Sequence, residues 1–274
     1  MDDIKVLFEN KVTKLDSIKK MIGGLSNNMF LINETYVWRV FQNKLSNPNH
    51  EIYVMENLPY YEIYYYDSNN ICYKFIEGVK KDYENYNKSI KLVIDKMIEI
   101  NKLGLQSPHF WTCKVPSWFK LLKEEQKKSV EVIYQKINKL LIFDEKDNVF
   151  CHNDLIIGNV IFFEEKIFII DWEFSGINYY YYEIGNLICE YFSNYDIQTY
   201  EFDKIDDNII QVFLGYYKKE TSSENIAKVK VGILMSHFVW YLYSLIMKEN
   251  PIDDSFDYLR FGLERLIQLK KYLK

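Results

Sequence analysis

Apolar and polar positions divide this chain into two regimes. From Met21 to Ile76, short apolar runs alternate with turn residues, which is the pattern of strands. Met21 to Phe41, MIGGLSNNMFLINETYVWRVF, reads as strand, glycine turn, strand, short turn and strand. Asn49 to Leu58 reads as a helix, and Tyr60 to Tyr66 and Ile71 to Ile76 as two further strands around the turn Asp67-Ser68-Asn69-Asn70. Residues 1–20 read as a charged helical lead-in. After Gly78 the periodicity becomes helical, with amphipathic helices at Lys91 to Leu103 and Glu124 to Leu141. Within that region one β element recurs. Val160 to Phe163 and Ile167 to Ile170 are short apolar runs separated by Glu164, Glu165 and Lys166, a spacing that predicts a hairpin with a three-residue loop. The expected fold class is α+β, with a small β-rich lobe over 1–78 and a larger, mostly helical lobe over 79–274.

One apolar stretch raises the membrane question. Val231 to Met247 runs 17 residues without Asp, Glu, Lys or Arg, short of the roughly 20 apolar residues a spanning helix needs. It also contains Ser236 and His237, so it is read as a buried helix of the larger lobe and no membrane span is expected. The N-terminus, MDDIKVLFENK, is charged from its second residue and has no apolar signal core. Cys72, Cys113, Cys151 and Cys189 are scattered with no CxxC or Cys/His cluster. Reduced thiols and a cytoplasmic location are therefore expected. The net charge of −5 argues against nucleic acid as the main partner and is compatible with a cationic substrate. The 24 tyrosines accompany abundant Ile, Lys, Asn and Phe, the signature of AT-rich codons. Only aromatics inside a motif therefore inform function. No segment specifies an oligomeric state.

The densest chemistry lies in Val149 to Trp172, VFCHNDLIIGNVIFFEEKIFIIDW. A hairpin returns the chain to its starting end with strands roughly 5 Å apart. That makes Asn159 and Asp171 expected neighbours although twelve positions separate them. An amide oxygen and a carboxylate are hard ligands, suited to magnesium that also holds phosphates. Asp154 lies just upstream, where it could accept a hydroxyl proton. A metal-hydrolase reading of His152, Asp154 and Asp171 lacks a second histidine.

The ordered set H-N-D-x-x-x-x-N, an apolar hairpin and I-D-W-E resembles the catalytic segment of phosphotransferases with a protein-kinase-like fold. It is most similar to the choline and ethanolamine kinases, related to the aminoglycoside phosphotransferases. The resemblance implies a nucleotide-binding N-terminal lobe and a catalytic, substrate-binding C-terminal lobe. It implies ATP as co-substrate and Mg2+ as cofactor, with Asp154 as base, Asn159 and Asp171 on the metal, and His152 bracing the loop. Gly23 and Gly24, with Leu25, Ser26 and Asn27, would form a turn over the phosphates. Arg39 stands where protein kinases carry lysine and could pair with Glu51. Phe75-Ile76-Glu77-Gly78 resembles the segment that meets adenine. A protein kinase itself is not expected, because Gly158 to Ile184 leaves no room for a long activation segment.

The acceptor is read from three later segments. D-W-E-F-S-x-x-N-Y followed by E-I-G-N-x-x-C-E looks like choline and ethanolamine kinases more than aminoglycoside enzymes. Glu183, Asn186 and Glu190 fall on one helix face. Ser236 to Tyr243 resembles the family's S-H-F-L-W-x-L-W. A trimethylammonium group has no N–H donor, so aromatic faces must select it, at roughly 0.5–2 kcal/mol each. Trp240, Tyr243, Tyr258 and Tyr195, with charge from Glu190, are the residues the resemblance assigns to that task. The expected function is choline kinase. The alternatives are an ethanolamine kinase, another small-molecule (aminoglycoside-type) kinase of the fold, or, in a different class, a non-catalytic nucleotide- or choline-binding module.

Overall fold

The computed structural model describes residues 2–21, 27–42, 45, 47–142, 144–249 and 256–273. In chain order the elements are α1 (Asp2–Lys11), β1 (Ile18–Lys20), β2 (Asn27–Ile32), β3 (Tyr36–Phe41), α2 (Pro48–Glu56), β4 (Ile63–Tyr66) and β5 (Asn70–Lys74). Then come α3 (Tyr83–Lys88), α4 (Ile90–Asn101), α5 (Val115–Trp118), α6 (Glu124–Asn138), β6 (Asn148–Cys151), β7 (Val160–Phe163), β8 (Lys166–Ile169) and β9 (Gly176–Tyr179). Four helices follow: α7 (Tyr180–Tyr191), α8 (Asp207–Tyr216), α9 (Ser223–Glu249) and α10 (Tyr258–Tyr272). The chain falls into two compact units: Met1–Lys80 with Val160–Glu173, and Lys81–Asn159 with Phe174–Lys274.

The first unit is built on a five-stranded antiparallel sheet in the order β1-β2-β3-β5-β4. Alternation along β2 and β3 puts Phe30, Ile32 and Trp38 on one face, where Ile4 and Phe8 of α1 cover them. In the turn between β2 and β3, Asn33 and Glu34 both take positive φ. The Asn33 side chain accepts from the backbone of Asp16 and Ser17 at 2.8 and 3.0 Å and so ties the lead-in to the turn. The β7–β8 hairpin belongs to this unit. Val79 and Phe162 exchange backbone hydrogen bonds of 2.8 and 3.0 Å, and the Tyr60 hydroxyl donates to the Ile169 carbonyl at 2.7 Å. Gly78 makes the approach feasible. At φ +148° a side chain is strained, and a Cβ there would lie 2.5 Å from Ile161 Cγ2. Phe163 pairs with Lys166, so the hairpin loop is two residues, Glu164 and Glu165, not three. Lys166 extends the ladder as its first β8 residue.

The second unit is helical around α7 and α9. Every residue of α7 from Tyr180 to Glu190 is buried, as expected of a helix surrounded by protein. Its Gly185 meets Gly232 of α9 backbone to backbone. A Cβ on Gly232 would come within 1.9 Å of the Tyr181 carbonyl oxygen. By length and composition α9 could cross a bilayer, but 83% of its most apolar window is buried inside the protein. The expected buried helix over Val231 to Met247 is therefore the centre of a longer one. β6 and β9 pair antiparallel from Asn148↔Tyr179 to Cys151↔Gly176. This pair sets the base of the loop that begins at His152.

Candidate active site

In the first unit, Arg39 sits centrally on β3 and is buried. Its Nη1 contacts Glu51 of α2 at 2.6 Å, and its Nη2 contacts Asp171 at 2.9 Å and Glu173 at 3.6 Å. Three carboxylates therefore share one guanidinium, and single oxygens of the three lie within 4.8 Å of one another. The pairing of Arg39 with Glu51 expected from the sequence is present. Burial pushes the Glu51 carboxyl up against the pull of Arg39, and Asp171 and Glu173 add to the rise. Glu173 also accepts from the Asn27 side-chain amide at 3.3 Å. Asp171 takes φ +68° just past β8, and its side chain is 25% exposed, the most open of the three carboxylates. Gly23, Gly24, Leu25 and Ser26 lie outside the described residues. Phe75 follows β5 and donates its backbone N–H to Thr35 O at 2.7 Å. Phe75 and Ile76 are both half-buried.

In the second unit, the loop after β6 presents His152 and Asn153 fully buried and Asp154 half-exposed. Asn153 adopts φ +66°, a strained region for a residue with a side chain. Its whole polar inventory is engaged. The backbone N–H donates to Glu183 Oε2 at 3.1 Å, and the side-chain amide donates to Phe174 O at 2.9 Å. Its Oδ1 accepts from the Asn178 amide at 2.8 Å, and its carbonyl accepts from the Tyr182 hydroxyl at 3.4 Å. Glu183 is buried in the first turn of α7. Burial pushes its carboxyl up to about 7, against the loop N–H donors and the Cys151 thiol. Asn159 donates its amide N–H to the Asp154 carbonyl at 2.9 Å and to Asp154 Oδ2 at 3.3 Å. That use of the nitrogen leaves the amide carbonyl oxygen as the atom able to ligate a cation.

The aromatic residues of this unit form a connected cluster. Trp240 and Tyr243 meet at 5.5 Å between ring centroids, and Tyr243 meets Tyr258 at 6.2 Å. Phe174 packs edge-on against Trp240 and Tyr243 at 6.0 and 6.2 Å. Phe256 joins Tyr258 to Tyr195 at 4.9 and 6.3 Å. Asn186 accepts from the Trp240 indole at 2.7 Å and from the Ser236 hydroxyl at 2.8 Å, which fixes the indole plane. Glu190 is engaged internally. It accepts from Arg265 Nη2 at 2.9 Å and from the Tyr195 hydroxyl at 2.5 Å. Arg265 is wholly buried, with Phe202 and Phe261 at 4.7 and 5.0 Å from its guanidinium.

Several of these residues are absent from the sequence reading. Asn153 and Glu173 lie within its motifs, H-N-D and D-W-E, and their neighbours there signalled them. Arg265 could have been signalled only by its place on an apolar helix face, seven residues after Tyr258. Phe174 lies in the motif D-W-E-F-S, beside residues that motif singled out.

A solved choline kinase from Cryptosporidium parvum superposes with a TM-score of 0.78 at 17% identity, covering 99% of this chain and 96% of that one. Solved aminoglycoside phosphotransferases share the architecture. The chain thus has a protein-kinase-like fold, an antiparallel N-terminal sheet followed by a mostly helical part. The family described as choline/ethanolamine kinase matches residues 18–270, and this protein belongs to that family. It is 30% identical over 230 residues to ethanolamine kinase 2 of Mus musculus, which is 74% of this chain and 59% of that protein. It is 31% identical over 169 residues to probable choline kinase 2 of Arabidopsis thaliana, 54% of this chain and 48% of that one. These matches span about three fifths and about half of the two relatives' lengths.

Proposed function

We propose that this protein transfers the γ-phosphate of ATP to the hydroxyl of a small amine alcohol, choline first. The observation that carries the reading is Asp154, a half-exposed carboxylate on a loop whose preceding residue is held at every polar atom. Phosphoryl transfer needs positioning and charge neutralisation more than covalent participation. Asp154 orients the acceptor hydroxyl and takes its proton. Asp171, the most open carboxylate of its cluster, and Asn159, through its carbonyl oxygen, are the magnesium ligands of this reading. All are hard oxygen donors, which fits the ion. Magnesium, when bound, supplies positive charge to the phosphates. Arg39, steadied by Glu51 and Glu173, holds Asp171 in place and adds positive charge on the nucleotide side. The glycine turn, Asn27 and the segment Phe75-Ile76 complete the nucleotide site in this reading.

Choline is supported by the linked rings of Trp240, Tyr243, Tyr258 and Tyr195, because a quaternary amine is recognised by aromatic faces. Ethanolamine is the second reading, favoured by the similarity to ethanolamine kinase 2. A coupled assay of ADP release with Mg·ATP and choline, ethanolamine or an aminoglycoside tests both. Turnover is expected with the two amine alcohols and not with the aminoglycoside. Asp154→Ala should reduce turnover by about 10²–10⁴-fold while the protein stays folded by circular dichroism. Near wild-type turnover in that variant would overturn the assignment.

A further inference from the structure

We propose that Tyr83 is a positioning residue of the acceptor site: its phenol holds Tyr195 in place, and through that ring it sets how tightly the amine alcohol binds. The inference rests on the amine-alcohol reading and adds to it a residue that acts through another. Of the four rings read as meeting the acceptor, Trp240, Tyr243 and Tyr258 are buried on the long helices α9 and α10. Tyr195 is placed differently. It is half-buried and lies in the turn of a minimal hairpin, in which Ser193–Asn194 pairs with Thr199–Tyr200. So short a ladder fixes little by itself. The Tyr195 ring meets Tyr200, Phe256 and Phe261 at 6.2, 6.3 and 6.1 Å between centroids, toward the long end of the usual range of about 4.5–7 Å. Its place is therefore decided at its polar ends. The hydroxyl donates to Glu190 Oε2 at 2.5 Å, and the backbone N–H donates to the Tyr83 phenol oxygen at 2.8 Å.

The helix that carries Tyr83, α3, is seated without help from that hydroxyl. Asp82 caps it by accepting from the Asn85 N–H at 2.9 Å, and its Tyr86 is buried. The Asn87 side-chain amide donates to the Tyr191 carbonyl at 3.4 Å, at the end of α7. Tyr83 and Asn87 are one helical turn apart and share a face. That face meets the stretch running from the end of α7 to Tyr195. Burial pushes the Tyr83 phenol up to about 12, so at neutral pH it is an uncharged hydroxyl with a lone pair for the Tyr195 N–H. Tyr83→Phe keeps the ring and removes the acceptor. The Tyr195 N–H must then find another partner, and the ring moves with its backbone.

The test measures Tyr83→Phe, Tyr195→Ala and the double variant, with the acceptor and Mg·ATP varied in turn. Asn87→Ala is the control, because it cuts the other bond from α3 and spares the one to Tyr195. Tyr83→Phe should raise the KM of the acceptor that the wild type turns over by about threefold or more, the scale of one hydrogen bond. Its kcat and its KM for ATP should stay within about twofold of the wild-type values, since only acceptor binding is touched. In the Tyr195→Ala background the same substitution should change the acceptor KM by less than about twofold, because the ring it holds is gone. Asn87→Ala should also stay within about twofold of wild type, as it removes neither partner of the Tyr83–Tyr195 bond. An unchanged acceptor KM in Tyr83→Phe, an equal loss in kcat or in the KM for ATP, or an equal rise in the Tyr195→Ala background overturns the inference while leaving the acceptor reading in place. An equal rise in Asn87→Ala overturns it as well, since the docking of α3 and not the phenol would then be responsible. A wild-type protein that turns over neither choline nor ethanolamine removes the acceptor reading and this inference with it.

Discussion

A residue in a left-handed conformation stores strain of order 1–3 kcal/mol unless its surroundings enforce it, and Asn153 shows how the enforcement is arranged. Four partners from three neighbouring segments converge on one asparagine, and the next residue is the proposed base. Glu183 is the charged member of this group. Its folded carboxyl titrates at about 7, above the ordinary 4.5, because it is buried. A raised acid contributes stability that is complete below the unfolded value and is lost as pH rises through the folded one. Glu183→Gln, neutral at every pH, removes that loss. The stability of the wild type minus that of the variant should therefore fall by roughly 1–3 kcal/mol between pH 5 and pH 8 in urea unfolding. A difference that is flat or rising across this range would contradict the burial argument. At this scale the sequence was most informative where chemistry is local. His152, Asp154 and Asn159 fall within one local window, the motif H-N-D-x-x-x-x-N, and their proposed roles come from it and its family resemblance. The Arg265 partner of Glu190 does not, because it lies 75 positions away and nothing in a local window reports a guanidinium folded back onto a carboxylate.

Local pattern also served well for the elements with a strong period. The amphipathic helices expected at Lys91 to Leu103 and Glu124 to Leu141 appear as α4 and α6, with ends shifted by no more than three residues. β2 to β5 and the β7–β8 hairpin appear close to where alternation and turn residues put them, whereas β1, Ile18–Lys20, lies inside the stretch expected to be a helical lead-in, whose helix α1 ends at Lys11. The hairpin loop is shorter than expected because Lys166 continues the ladder, which a polar side chain on an exposed strand position does not announce. The membership of that hairpin in the first unit was not legible either. It depends on Val79 pairing with Phe162, a non-local contact. Helix contact has its own constraint. α7 and α9 approach at Gly185 and Gly232 so closely that a methyl group has nowhere to go. Gly232→Ala should destabilise the protein by roughly 1–3 kcal/mol, the usual cost of overpacking, with a lower urea midpoint as the readout. An unchanged midpoint would mean that the two helices can separate without penalty.

For the whole molecule, the question is how charge is used. The chain is acidic overall, and among the described residues a cluster of three carboxylates surrounds a single arginine. Such a cluster favours a further cation, and nucleotide binding should be coupled to magnesium. Mg·ATP at a hundred times its Kd should stabilise the protein by about 2.7 kcal/mol. ATP with excess EDTA should give a distinctly smaller rise in Tm. Equal rises with and without the ion would remove Asp171 and Asn159 from the proposed metal role. The fold class was legible because a β-rich stretch gives way to a helical one at a single point near Gly78. The closure of each unit was not, since it depends on pairs such as Lys228 with Asp147, buried at 2.9 Å and 81 positions apart.

One helix gathers much of this. Along α7, Glu183 braces the loop of the proposed base, Asn186 fixes Trp240, and Glu190 anchors Tyr195 and Arg265. In the proposed reading, successive turns of one rod serve reaction chemistry first and acceptor choice last. If that reading holds, changes in the distal turn would alter which alcohol is accepted while the proximal turn goes on holding the loop of the proposed base.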